Sequence, residues 1–235
     1  MAPLIITVDG PAGSGKSTVA RCLAQGLGLE FLDTGAMYRG LTAHCLDRGI
    51  TPAHDPEGVV NLARQVRMHF DWSKTPPRLH VGGRDITARL RDPDVTRSVS
   101  DVAAIPQVRQ VLVATQRRIG TTHQRLVSEG RDQGSVVFPH ARVKFYLDAT
   151  PRVRARRRAA QLRDAGREAD ETEILAQIMQ RDRKDTTRTD GPLICPDDAI
   201  RINTSDMTLP DVVNLLEKHV REHAAQALCS CAGEP

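Results

Sequence analysis

Near the N-terminus, Gly10-Pro11-Ala12-Gly13-Ser14-Gly15-Lys16-Ser17 has the spacing G-x-x-x-x-G-K-[ST]. Its glycines let successive backbone N–H groups turn inward as a nest for anionic oxygens. A helix opening after the loop adds positive potential at its N-terminus. Lys16 can then reach the outer phosphates of a nucleoside triphosphate, and the Ser17 hydroxyl can hold Mg2+. The acceptor is left open by this loop. No Asn-Lys pair occurs to read guanine, and no Ser-Gly-Gly signature of a transport ATPase is present. A small-molecule kinase is therefore the leading expectation.

Four further clusters carry polar residues where loops are expected. They are Asp33-Thr34-Gly35-Ala36-Met37-Tyr38-Arg39, Ser98 to Asp101 with Pro106 to Arg109, Glu129-Gly130-Arg131-Asp132, and Arg181 to Arg188. Any one of them could be helix capping or surface pairing. Together with a phosphate loop they outline an acceptor site, because ligands of open α/β sheets bind beyond the carboxyl ends of the strands. Glu129 could orient Mg2+ through water or simply cap the next turn.

The elements that must hold these groups are legible in the hydrophobic pattern. Leu4 to Val8 is a β-branched apolar run that ends at Asp9-Gly10, and Val19, Leu23 and Leu27 follow at helical spacing. Phe31-Leu32 reads as a second strand and leads into a helix through Met37, Leu41 and Leu46. A helix is expected over Asp55 to Met68. From about Phe70 to Ile86 the pattern breaks into short strand-like pieces around Pro76-Pro77 and Gly82-Gly83, as in an inserted β lobe. Helices are expected near Asp94 to Ala104, from Pro106, over Pro151 to Asp164 and over Glu171 to Lys184. Strands are expected at Leu126 to Ser128, Val143 to Leu147 and Ala199 to Ile202, before a last helix through Val212 and Leu216. Strands alternating with helices imply a mostly parallel sheet covered on both faces.

The 235 residues suit one sizeable domain, residues 1–235, and their net charge is +4. Arginine supplies 28 of the 33 basic residues, and its planar fork suits phosphate. The run Arg152, Arg154, Arg156, Arg157, Arg158 raises a competing reading, an ATP-dependent nucleic-acid-binding protein. An aromatic content of 3% and the absence of an aromatic-interleaved basic motif argue against it. No apolar run approaches the roughly 20 residues of a membrane span, and the first residues lack a basic n-region. A cytoplasmic protein, with no membrane or nucleic-acid partner, is expected. The five cysteines include no Cys-x-x-Cys, so neither disulfides nor structural zinc are expected. Metal binding is likewise not expected of Cys229 and Cys231, while His219 and His223 read as a solvated helix face.

The motifs resemble, in order, those of the bacterial cytidylate kinases. They are Gly10 to Thr18, Asp33 to Arg39, Ser100…Pro106…Val108-Arg109, Glu129 to Asp132, Val136 to Pro139, Phe145 to Ala149, and Arg181-Asp182…Asp185…Arg188. The match runs from Ile5 to about Val213. The resemblance implies a three-layer α/β P-loop kinase with a parallel core sheet. It also implies a monophosphate-binding lobe over about 35–110 that carries a small β insertion, and a mobile lid over about 152–188. The implied reaction moves the γ-phosphoryl group of ATP to CMP or dCMP with Mg2+, and nothing demands more than a monomer. A kinase for UMP or dTMP is the enzymatic alternative.

Matching motif by motif, the resemblance implies ATP on Gly10 to Thr18, with Arg158 and Arg154 folding over its phosphates and the other arginines of that run solvated. Ser100, Arg109 and Asp132 would read the cytosine edge, and Arg181 and Asp185 would hold the ribose. Arg39, Arg131 and Arg188 would clamp the monophosphate, with Thr34 on the substrate side. Lys16, Arg131 and Arg188 would act on the transferring group. Asn203-Thr204 stands where the family often has an acidic residue, which leaves that contact open.

Overall fold

The computed structural model describes residues 3–231, with side chains described through residue 223. In chain order the elements are β1 (Leu4–Asp9), α1 (Lys16–Gly26), β2 (Glu30–Asp33), α2 (Thr34–Leu46), α3 (Pro56–Gln65) and β3 (Met68–Asp71). Next come β4 (Arg78–Val81), β5 (Arg84–Asp85), α4 (Pro93–Ala104), α5 (Pro106–Thr122), β6 (Arg125–Gly130) and β7 (Val143–Asp148). The last are α6 (Pro151–Asp164), α7 (Glu171–Thr187), β8 (Ile200–Asn203) and α8 (Leu209–Cys231).

Five strands form a parallel sheet in the order β2-β6-β1-β7-β8. Successive strand residues face opposite sides, so each buried strand feeds two cores. Ile6, Val8, Val127 and Phe145 pack with Val19 and Leu23 of α1 and with Val212 and Leu216 of α8. Leu32 and Leu126 pack on the other side with Leu41 of α2 and Leu112 of α5. This is the expected three-layer arrangement, and the apolar strand runs are explained by burial on both faces. Each such Leu or Ile contributes about 1.5–3 kcal/mol by leaving water.

The break in the pattern between Phe70 and Ile86 is a separate antiparallel sheet, β3-β4-β5, with Phe70 opposite Leu79 and Met68 opposite Val81. Its buried side joins the α2 core through Phe70, Leu79 and Val81. Helices α6 and α7 pair through a small core of their own, Ala155, Ala159, Ile174 and Ile178.

One expected helix is shorter than its pattern. The Asp55 side chain accepts from the Gly58 N–H at 2.8 Å and starts α3, but the helix ends at Gln65 and Val66 is extended. Met68 belongs to β3 because pairing with Val81 outweighs the local helical spacing. Two short elements were not expected, a 3-10 turn at Thr87–Arg91 and a π-helical turn at Gln133–Val137. The first is held by Arg89, which donates to Asp47, Asp92 and Asp94. The second is capped by Asp9, whose two carboxylate oxygens accept from the Gln133 and Gly134 N–H groups at 2.9 and 2.7 Å.

Candidate active site

Parallel register sets the site. It places Asp9 beside Gly130 and Asp33 beside Glu129, so the phosphate loop, the start of α2 and the Glu129-Gly130-Arg131-Asp132 turn leave the sheet at one edge. Gly10 has φ 149°, and a Cβ there would clash with the Leu147 carbonyl oxygen, so only glycine lets the loop turn this close to β7. Lys16 is buried and donates to the Pro11 carbonyl at 3.1 Å. Burial, and then the Arg131 charge, push its ammonium down to about 7.

The loop is braced from behind by α6. Arg154, 3% exposed, donates to the Ala12 and Ala149 carbonyls at 2.9 Å and forms a two-pronged pair with Asp182. Arg157 donates to the Thr204 hydroxyl and carbonyl and to the Ser14 carbonyl. Thr204 is buried and bonds both Ser14 and the Asp148 carbonyl. Two expectations are thereby corrected. Arg154 is buried behind the loop with four of its five N–H donors spent on Ala12, Ala149 and Asp182, and Arg157 is a fixed support rather than a solvated residue. Helical spacing put both near the loop, but it could not show that carbonyls of that loop would consume their donors. Among the described residues Arg158 has one hydrogen bond, 3.5 Å to Gln161, and it feels the like charges of Arg91, Arg167 and Arg39. Burial, and then those like charges, lower its pKa.

Beside the loop, the Ser17 hydroxyl donates to Glu129 Oε1 at 2.8 Å, and Thr34 donates to the Glu129 carbonyl at 2.7 Å. Burial, and then the Asp33 charge, push Glu129 up to about 7. Burial opposes ionisation of Asp33 too, but Arg39, a hydrogen bond with Glu129 and the Ala36 N–H hold it below its usual range. A hydroxyl and two carboxyls are hard oxygen donors, and Mg2+ commonly takes one or two protein carboxylates together with phosphate oxygens and water. The donor set fits that ion.

Three arginines, Arg131 among them, converge on one carboxylate. Asp185 lies 2.9 Å from Arg131 Nε, 3.6 Å from Arg188 and 4.0 Å from Arg181. Two positive charges are left over. Burial, and then Arg131, lower Arg181 to about 10, which marks the crowding of cations. The surplus matches a dianion.

Arg109 of α5 and Asp132 form a buried ion pair, with the guanidinium 5.6 Å above the Tyr38 ring. Gly191, at φ 57°, lies against both, and a Cβ there would clash with them. Ser100 is half-buried on α4, which α7 meets through a Lys184–Asp101 bridge of 2.8 Å. The structure thus brings Arg131, Arg181 and Arg188 onto Asp185, sets Lys16 within reach of the Arg131 and Glu129 charges, bonds Ser17 to Glu129, and pairs Arg109 with Asp132. It gives Ser100 no hydrogen bond to that pair among the described residues.

A sequence profile described as cytidylate kinase matches residues 6–222. The chain belongs to the cytidylate kinase family. Cytidylate kinase of Mycobacterium avium (strain 104) is 42% identical over 226 residues, 96% of this chain and 99% of that one. Cytidylate kinase of Corynebacterium efficiens is 45% identical over 213 residues, 91% and 92% of the two chains. Among solved structures, a gluconokinase from Sinorhizobium meliloti 1021 aligns with a TM-score of 0.52 at 14% identity over 97% of each chain, a likeness of fold alone.

Several residues that shape this cytidylate kinase site were not expected from the motifs. Asp9 caps the turn after Asp132, and burial pushes its carboxyl up to about 7. Its only sequence signal was a carboxylate closing an otherwise apolar strand. Asp182 and Thr204 brace the loop, and Tyr38 supports Arg109. Tyr38 and Asp182 stand beside Arg39 and Arg181 in the motifs, and Thr204 belongs to the contact left open at the end of the last strand. His219 lies 3.5 Å from Glu222 on α8. Cys229 and Cys231 lie outside the residues whose side chains are described. No described helix is long and apolar enough to cross a membrane.

Proposed function

We propose that this chain transfers the γ-phosphoryl group of ATP to CMP or dCMP, giving ADP and CDP or dCDP. The buried Arg109–Asp132 pair carries the choice of base. Asp132 accepts from the cytosine amino group, where uracil would present a carbonyl oxygen to a carboxylate. A site built on such a hydrogen bond rejects an unmatched partner strongly, because its own polar groups are left unpaired.

The acceptor phosphate has a second pKa of about 6 and is already a dianion at neutral pH. It needs no general base, so neither Asp132 nor Glu129 is given that role. The barrier is the approach of two anions in line, and it is lowered by charge and position. Arg39, Arg131 and Arg188 hold the monophosphate, with Arg181 and Asp185 beside them at the ribose. Ser100 joins the base contacts and Thr34 closes the substrate side. Lys16 turns from the Pro11 carbonyl to the outer phosphates of ATP, which rest on the loop from Gly10 to Thr18. Ser17, with Glu129 and Asp33, would hold Mg2+, which would supply neutralisation of phosphate charge. Arg158 closes over the ATP phosphates as part of a lid over about 152–188, opposite a monophosphate lobe over about 35–110. The chain works as a cytoplasmic monomer.

A coupled ADP-release assay with CMP, dCMP, UMP, AMP and dTMP tests this reading. CMP and dCMP should lead by a wide margin. Equal turnover with UMP would overturn the choice of cytosine.

A further inference from the structure

Gln116 is the least expected residue of α5. It is fully buried, two helical turns beyond Arg109 on the same face, in a helix whose other deeply buried side chains include Val108 and Leu112. Its Oε1 accepts from Gln133 Nε2 at 3.2 Å, and Gln133 Oε1 in turn accepts from the Ser128 hydroxyl at 2.8 Å. Gln133 directly follows Asp132 and is itself pinned by Asp9 through its N–H. On the other side, Gln116 lies close to the Tyr38 hydroxyl, while neither Gln116 Nε2 nor that hydroxyl has a hydrogen-bond partner among the described residues. The Tyr38 ring lies under the Arg109 guanidinium.

One neutral side chain is therefore wedged between the supports of both members of a buried ion pair. Arg109 is also held at the Ala103 carbonyl, at 3.3 Å, which leaves its outer edge to be set by Tyr38 and Asp132. Burying an amide here without its partners is costly, so the position is suited to alignment rather than to filling space. We infer that Gln116 is a positioning residue for base choice, aligning Asp132 through Gln133 and Arg109 through Tyr38. The inference rests on the reading that Arg109 and Asp132 face the base.

The test is the ratio of kcat/KM for CMP to that for UMP, with the KM for ATP and the melting temperature, in Gln116→Met, Tyr38→Phe, Asp132→Asn and the Gln116→Met/Asp132→Asn double variant. Gln116→Met should cut the ratio about tenfold, within the range found for coupled neighbours in one network, chiefly by raising the KM for CMP. The KM for ATP should stay the same. Tyr38→Phe, which removes only the hydroxyl, should move the ratio in the same direction and keeps the test alive if Gln116→Met does not fold. The double variant should be no less selective than Asp132→Asn alone. If Asp132→Asn destroys selectivity while Gln116→Met and Tyr38→Phe keep the wild-type ratio, the inference fails and the reading of the pair stands. If Asp132→Asn keeps the wild-type ratio, the reading of the pair itself fails. A loss of activity equal for CMP and UMP, following the melting temperature, would make Gln116 merely structural and overturn the inference.

Discussion

Glu129 gives the most quantitative prediction. Its carboxyl is 2% exposed, and it titrates at about 7 rather than 4.5 because burial and Asp33 disfavour the charge. The folded chain therefore binds a proton more tightly than the unfolded chain does, and stability is lost as pH rises from 4.5 to 7. Glu129→Gln imitates the protonated form and keeps an acceptor for Ser17. Each unit of pKa difference is worth about 1.4 kcal/mol, so linkage gives a gain of about 1 kcal/mol at pH 5 and about 3 kcal/mol at pH 8. For a chain of this size the melting temperature moves by roughly 2–4 °C per kcal/mol. The advantage of the variant should thus grow by roughly 5–10 °C between pH 5 and pH 8, read by circular dichroism without nucleotide. Kinase activity should fall in the same variant, since a neutral amide holds Mg2+ poorly. An advantage independent of pH, or a variant less stable than wild type at pH 8, would show that Glu129 is not held protonated by burial.

Other expectations follow from neighbouring groups. Arg188→Ala should lower turnover by about 10³-fold or more, as for removal of an arginine that meets transition-state charge, with the KM for ATP little changed. A wild-type rate would remove Arg188 from the clamp. Arg154→Ala should cost about 2–4 kcal/mol in urea unfolding, because Asp182 and two carbonyls lose a largely buried partner, and should raise the KM for ATP. Arg154→Lys should recover little of either, since one ammonium cannot reproduce the fork; full recovery would mean that charge alone suffices. Lys16, held near 7 by burial and arginines, is mostly neutral at pH 8. ATP binding in the presence of EDTA should raise its pKa and take up nearly one proton. Calorimetry in two buffers of different ionisation enthalpy measures this, and zero uptake would contradict the state assigned to Lys16.

Much of this site could be read before the structure because its chemistry is local. A phosphate nest is made by consecutive amides, so Gly10 to Ser17 announces itself, and an apolar run before it marks a buried strand. The arginines around Asp185 are spaced along one helix and one loop, and the turn positions show through the pattern. What could not be read depends on contacts between distant segments. Arg154, Arg157 and Arg158 look alike in sequence. Their fates part only because Ala12, Asp182 and Thr204 reach the first two and leave the third facing Arg39. Asp9 and Glu129 are ordinary carboxylates until the sheet buries them. The end of α3 was misread because the pull of β4 on Met68 comes from residues ten or more positions away.

In the proposed function a buried arginine–carboxylate pair, Arg109 with Asp132, chooses cytosine. The direct measurement is the kcat/KM of the wild-type chain for CMP against that for UMP, at saturating ATP and Mg2+. A ratio of about 10² or more is predicted for a site whose polar groups go unpaired with the wrong base. A ratio near one would mean that the pair does not select the base.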